Sequence, residues 1–244
     1  MIKTVLKNIG FSIALACICN DDCIAQTKGE LLVRFNITAN GKTLTLNDSN
    51  YTNAFNESYQ VTRLKYYISN IVLNAYDGVV YNDRVFLLEA GGTDSIVMPE
   101  NTANYYSLEF SVGVDSALNC SGAQDGALDP LNGMFWTWNS GYIFFKLEGY
   151  SSASKADLQR IEHHVGGYRY PNKASRLIKL ELPKTLEVKK GSRHIITVNM
   201  DLDKYWKGVN DIKIADQALL MTPGGLAIKA ADNFQKMFSV ISVE

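Results

Sequence analysis

The chain has 244 residues, 46% hydrophobic and 20% charged, with a formal net charge of −1. This composition supports a packed core and excludes a disordered chain. With no run of Lys or Arg, it also excludes the concentrated positive surface that nucleic acid or anionic lipid requires. The first 25 residues read as an export signal. Lys3 and Lys7 precede an apolar stretch from Ile9 to Cys19 that is too short to span a bilayer, and Cys23-Ile24-Ala25 comes just before Gln26. Cleavage after Ala25 is expected, leaving residues 26–244 as one exported domain in the periplasm or cell envelope. A second reading places lipoprotein processing, and hence a lipid anchor, at Cys17 in Ala14-Leu15-Ala16-Cys17. After cleavage at Ala25 only Cys120 remains, so no internal disulfide can form. No later segment is long and apolar enough to be a transmembrane helix.

The mature part begins with period-two alternation. Leu31, Val33, Phe35 and Ile37 share one face of a strand, with Arg34 and Asn36 on the other. Asn40-Gly41 suits a tight hairpin turn, with Lys42 to Leu46 as the return strand. Val61 to Ala75 is rich in β-branched and aromatic residues and reads as strand. Asp77-Gly78 then marks a turn before Val79 to Leu88. In Tyr105 to Val112, the residues Tyr106, Leu108, Phe110 and Val112 are expected inside. The same holds for Ile143, Phe145 and Leu147, for Ile178, Leu180 and Leu182, and for Ile196, Val198, Met200 and Leu202. Helix signals are few: two turns over Ser154 to Ile161, one over Asp203 to Lys207, and a longer helix carrying Leu226, Ala230, Asn233 and Met237. Phe238 to Val243 is expected to close a sheet. The expected fold is mostly β: an antiparallel two-sheet β-sandwich, Ig-like, with a few short helices.

The middle of the chain carries an unusual run, Gly133-Met134-Phe135-Trp136-Thr137-Trp138-Asn139-Ser140-Gly141-Tyr142. Around it lie Arg63-Leu64-Lys65-Tyr66-Tyr67-Ile68-Ser69-Asn70, Gly113-Val114-Asp115-Ser116, Asn119-Cys120-Ser121-Gly122, Lys146-Leu147-Glu148-Gly149 and His163-His164-Val165-Gly166-Gly167. In this order the motifs resemble the MbnP-like family, named for a copper-binding protein encoded beside genes for the copper chelator methanobactin. The resemblance spans Leu31 to Glu244. It implies an exported, non-catalytic β-sandwich with a copper site that uses histidine and a tryptophan oxidised to kynurenine. It also implies a di-haem peroxidase-like enzyme as the partner that performs the oxidation. His164 matches the family's His-x-Gly element, and Trp136 or Trp138 stands where an oxidisable indole is expected.

Each of these residues also has an ordinary structural reading. The chain has only three histidines, His163, His164 and His194. Neutral imidazole is a good copper ligand, but neighbours on a strand face opposite sides, so His163 and His164 reach one centre only from a loop. The His164 ring equally serves to bond the backbone near the Gly166-Gly167 turn, and His194 suits a sheet edge. Trp136 and Trp138 share a face if extended, as packing residues or as oxidation targets. Asp115, Asn119, Asp125 and Asp129 are oxygen donors for calcium or Asx caps for turns. Glu148 reads as a salt-bridge or turn residue. No nucleophile elbow, zinc-protease helix, phosphate loop or haem motif is present. The leading expectation is a copper-binding or copper-handling protein of the cell envelope. The alternative is a metal-free cell-envelope binding or interaction module on the same fold.

Overall fold

A computed structural model describes residues 30–48, 51–99, 101–122, 124–137 and 139–244. The export signal, Cys17 and Trp138 lie outside the described residues. In chain order the strands are β1 (Glu30–Ala39), β2 (Lys42–Thr43), β3 (Tyr51–Thr52), β4 (Ser58–Ala75), β5 (Gly78–Asn82), β6 (Phe86–Glu89), β7 (Ser95–Met98) and β8 (Asn104–Val112). They continue with β9 (Phe135–Thr137), β10 (Gly141–Tyr150), β11 (Arg160–Gly166), β12 (Arg176–Glu187), β13 (Arg193–Asp201), β14 (Leu219–Leu220) and β15 (Phe238–Val243). The helices are α1 (Ser116–Cys120), α2 (Asp203–Trp206), α3 (Ile214–Gln217) and α4 (Gly225–Met237).

Among the described residues the strands form two sheets. The smaller runs β15-β13-β1-β2, with β7 also on β1. The larger runs β12-β8-β4-β10-β11-β14, with β3, β5 and β6 on β4 and β9 on β10. Pairing is mostly antiparallel, as the alternation indicates. Two pairs, β1 with β13 and β11 with β14, are parallel. No hairpin can make such a pair, because parallel neighbours need a long crossover. One buried cluster joins both sheets. At its centre Phe35, Tyr66, Phe110 and Phe238 meet largely edge to face, with centroids 5.2 to 6.4 Å apart. Such pairs contribute about 0.5–1.5 kcal/mol each beyond area burial.

Local chemistry sets the boundaries. Asn40 and Gly41 adopt φ of 50° and 71°, the left-handed pair that a tight hairpin requires. The return strand β2 stops at Thr43 rather than Leu46. The stretch expected as one strand from Val79 to Leu88 is two, β5 and β6. The Asn82 side chain accepts from the Arg84 N–H at 3.1 Å and turns the chain between them. In β8, Tyr106 faces solvent and Tyr105 takes the buried place. A register shift opposite Asn74 and Ala75 moves the inward set by one residue.

The helix expected over Ser154 to Ile161 does not form. Leu158 and Gln159 take φ of 57° and 56° within a single 3-10 turn, Asp157–Gln159, and consecutive left-handed residues cannot extend a right-handed helix. Strand β11 therefore starts at Arg160 and carries both neighbouring histidines. The two C-terminal helix expectations are met by α2 and α4. Helix α4 packs against α2, β11, β12 and β13, burying Ala227, Ala230, Phe234 and Met237.

Candidate functional site

Tyr66 on β4 meets Phe35 and Phe238 of the smaller sheet. Its neighbours Arg63, Lys65 and Tyr67 therefore point to the opposite, outer face of the larger sheet. The described residues between β8 and β10 fold over part of that face. Their anchors are buried: the Tyr67 hydroxyl donates to the Ala127 carbonyl at 2.9 Å and the Tyr142 hydroxyl to that of Leu128 at 2.7 Å. Phe135 packs on Tyr142 with centroids 4.9 Å apart. Asn119 clamps the segment to β10. Its amide donates to the carbonyls of Val114 and Asp115, and its Oδ1 accepts from the Tyr142 N–H at 2.9 Å. Asp115 caps α1 through the Leu118 N–H, and Asp129 accepts from the Leu131 N–H. These two carboxylates are turn caps here.

At the margin of this cover the sheet presents a charged strip. Register aligns Glu89, Lys65, Lys146 and His164 across β6, β4, β10 and β11, and beside them Arg63, Glu148 and Glu162. His164 Nε2 lies 2.8 Å from Glu148 Oε1, and Arg63 reaches Glu148 Oε2 at 2.8 Å. Lys146 Nζ donates to the Gly133 carbonyl at 2.5 Å and stands 3.6 Å from Glu148. The hydrogen bond from His164 comes first in holding the Glu148 carboxyl down at about 2, ahead of the Lys146 and Arg63 charges and against partial burial. An ionised carboxylate only accepts, so His164 Nε2 carries the hydrogen in this contact, and in the neutral ring that tautomer leaves the lone pair on Nδ1. Partial burial lowers the Lys146 ammonium from its ordinary value.

Trp136 stands on the same face. Its benzo ring covers Gly166, two residues beyond His164, so closely that a Cβ at Gly166 would lie 2.8 Å from the ring and 2.5 Å from the Tyr142 carbonyl. The indole N–H is shut off from solvent and has no hydrogen-bond partner among the described residues. His164 and Trp136 thus converge on one strand face.

His163 points the other way. It is fully buried, with Nε2 2.6 Å from the Gln217 carbonyl and Nδ1 2.7 Å from the Tyr205 hydroxyl. A carbonyl can only accept, so Nε2–H donates to it and Nδ1 accepts from Tyr205. Both ring nitrogens are occupied, and burial pushes the imidazole down to about 4. The ring lies against Tyr205 and Trp206. His194, on β13 of the smaller sheet, is half-buried and accepts a long 3.4 Å contact from the Lys189 N–H. The three histidines therefore occupy three separate environments. Sequence alternation could have separated the pair, since Ile161, His163 and Val165 share a spacing of two. Lys146 and Arg63 gave no signal of their own beyond lying opposite the inward residues of β10 and β4.

A family model described as MbnP matches residues 28–224. This chain belongs to the MbnP family. Its fold is similar to the solved MbnP from Methylosinus trichosporium, with a TM-score of 0.54, 18% identity, and coverage of 76% of this chain and 80% of that one. No curated protein sequence matches the chain. Copper, the metal that the sequence resemblance implies, is the ion to test against these side chains. Among the described residues no group of three His, Cys, Asp or Glu gathers to hold an ion. What the strip offers is one imidazole, 7% exposed, with its Nε2 held by a carboxylate. That is the outer-shell arrangement typical of a metal-binding histidine. It fits attachment of copper at one nitrogen and does not fit a closed, all-protein centre.

Proposed function

We propose that this MbnP family member is a non-catalytic, exported copper-handling protein, with His164 Nδ1 as its attachment point. The observation that carries this reading is the Glu148–His164 pair on the same strand face as Trp136. Glu148 orients the imidazole and selects the neutral tautomer whose lone pair is on Nδ1, the nitrogen a metal would use. One protein nitrogen leaves the remaining copper positions to other donors, which suits a protein that passes the ion on. Trp136, with its unpaired N–H beside the strip, is the indole we assign as the oxidation target of a di-haem peroxidase-like partner. The export signal expected over residues 1–25 would agree with this role in the cell envelope.

The test is competition for Cu(I) and Cu(II) against a chromophoric chelator, using the mature chain. Wild type should take up one ion. His164→Ala should abolish uptake, and Glu148→Gln should weaken it by about 10–100-fold. Undiminished copper binding by His164→Ala would remove the reading.

A second reading is favoured by a specific observation. Arg63 and Lys146 both stand at Glu148, and two cations beside a metal site oppose a third. On that reading the strip is a polar contact surface for another macromolecule. No copper uptake by wild type, together with an intact mass unchanged by any tryptophan oxidation, would favour it.

A further inference from the structure

Strand β5 is an open margin of the larger sheet. Among the described residues it pairs with β4 alone, and the same stretch of β4 carries β8 on its other flank. The backbone of β5 makes no hydrogen bond to any other described segment. A Cβ added at Gly78 would meet nothing within 4 Å, so the start of the strand stands in open space. Edge strands invite pairing with another chain, and proteins deter this with charge, proline or a covering element. Strand β12, at one end of the same sheet, carries Lys179, Glu181, Pro183 and Lys184. Strand β5 carries no charge and no proline.

Its side chains are also unusual for a solvated face. Val80 pairs with Leu73 and points into the core. Val79 and Tyr81, opposite Asn74 and Val72 on the outer face, stand 64% and 53% exposed. Tyr76, in the turn before β5, is 76% exposed and packs on Tyr106 with centroids 5.1 Å apart. Exposed apolar and aromatic side chains thus gather at an edge that lacks a deterrent.

We propose that β5 pairs antiparallel with β5 of a second copy of this chain, continuing the larger sheet across a two-fold axis. The order of side chains is what selects a second copy. A pair centred on Val80 places Val79 opposite Tyr81 of the second copy, and Tyr81 opposite its Val79, on one face of the joined sheet. These are two identical aromatic–β-branched pairs, which favour strand association, and the symmetry makes the edge complementary to itself. Two five-residue strands cover less than the roughly 1,200 Å² of a stable interface, so the dimer is weak and reversible. Just beyond the paired segment, Asp77 comes opposite Asp83 of the second copy at both ends. Salt should therefore tighten the dimer.

Sedimentation velocity of the mature chain from about 10 µM to 1 mM, the range of weak association, tests this. The average mass should rise from monomer toward dimer, and more so at higher salt. Val79→Lys and Tyr81→Glu, both at exposed positions, should each stay monomeric, with melting temperatures at low concentration close to that of wild type. Mixed together, the two variants should associate again, because the introduced lysine faces the introduced glutamate across the pair. Hydrogen exchange at residues 78–82 of wild type should slow as concentration rises, which locates the contact. A wild-type chain that is monomeric throughout, a dimer that survives Val79→Lys, a mixture of variants that fails to associate, or exchange at residues 78–82 that ignores concentration would each overturn the proposal. None of these outcomes bears on copper at His164, because β5 pairs with Ile71 to Ala75 of β4, whereas the strip crosses β4 at Arg63 and Lys65.

Discussion

His163 and His164 are adjacent in the chain and both buried, yet their rings meet different partners on opposite sides of β11. One is held neutral by burial and bonded at both nitrogens; the other reaches a carboxylate with one nitrogen. The folded pKa of His163, about 4, lies below its ordinary value of 6.5. A depressed histidine adds stability that is complete above the unfolded pKa and is lost as pH falls toward the folded one. Here the unfolded chain binds a proton between about pH 6.5 and 4 that the folded chain refuses. Stability should therefore fall through that window, by on the order of 3 kcal/mol. Urea melts at stepped pH check this. His163→Gln should flatten the slope in that window while lowering stability at pH 7 by about 1–3 kcal/mol, because the Tyr205 and Gln217 contacts are imperfectly replaced. Copper uptake should be retained, since the glutamine side chain points away from the strip. That the two histidines face opposite sides was legible from strand alternation alone. It was obscured because two left-handed residues, Leu158 and Gln159, ended an apparent helix and began the strand earlier than their side chains advertise.

At the scale of elements, the segment 113–140 converts an outer sheet face into a second interior. Ile143, Phe145 and Leu147 were readable as inward residues, but Tyr142 and Phe144 are buried as well, because this segment covers them. Alternation reports one buried face and is silent about a cover that arrives from elsewhere in the sequence. The aromatic run from Met134 to Tyr142 was legible as a motif; its contact with Gly166 was not, since only folding brings β9 and β11 together. That contact has a sharp steric requirement. Gly166→Ala would place a Cβ against the Trp136 ring and the Tyr142 carbonyl. The substitution should cost about 1–3 kcal/mol and displace the indole. A lower melting temperature together with red-shifted, more quenchable tryptophan emission would verify it. Trp206, wholly buried in the core, supplies an unaffected internal reference.

Across the whole molecule, a few fully satisfied polar side chains join parts that strands and apolar packing leave separate. Asn233, in the middle of α4, is fully buried. It donates to the carbonyls of Tyr205 and Asn210 and accepts from the Asn210 N–H at 2.7 Å. The helical spacing of residues 226–237 was readable, but that spacing counts Asn233 as one more inward position and says nothing about its partners. Asn233→Ala should cost about 2–4 kcal/mol, because it orphans buried backbone groups and opens a cavity. Chemical denaturation would measure it. Glu57 plays a comparable part near the other end of the chain. Its carboxylate accepts from the Asn53 amide and from the N–H groups of Ile214 and Ala215, tying the turn before β4 to the start of α3. The two-sheet architecture was legible because most strands carry a clean period of two. The order of strands was not, because pairing between distant segments leaves no local trace.

The parallel pairing of β1 with β13 has a temporal meaning. A ribosome releases residues 30–39 early, yet their full-length neighbour, residues 193–201, emerges only after most of the chain has been made. Until then β1 can recruit only the short β2 and β7 on its other side. The smaller sheet is thus a late event, and its apolar first strand must pass through synthesis with one flank open and vulnerable to foreign strands.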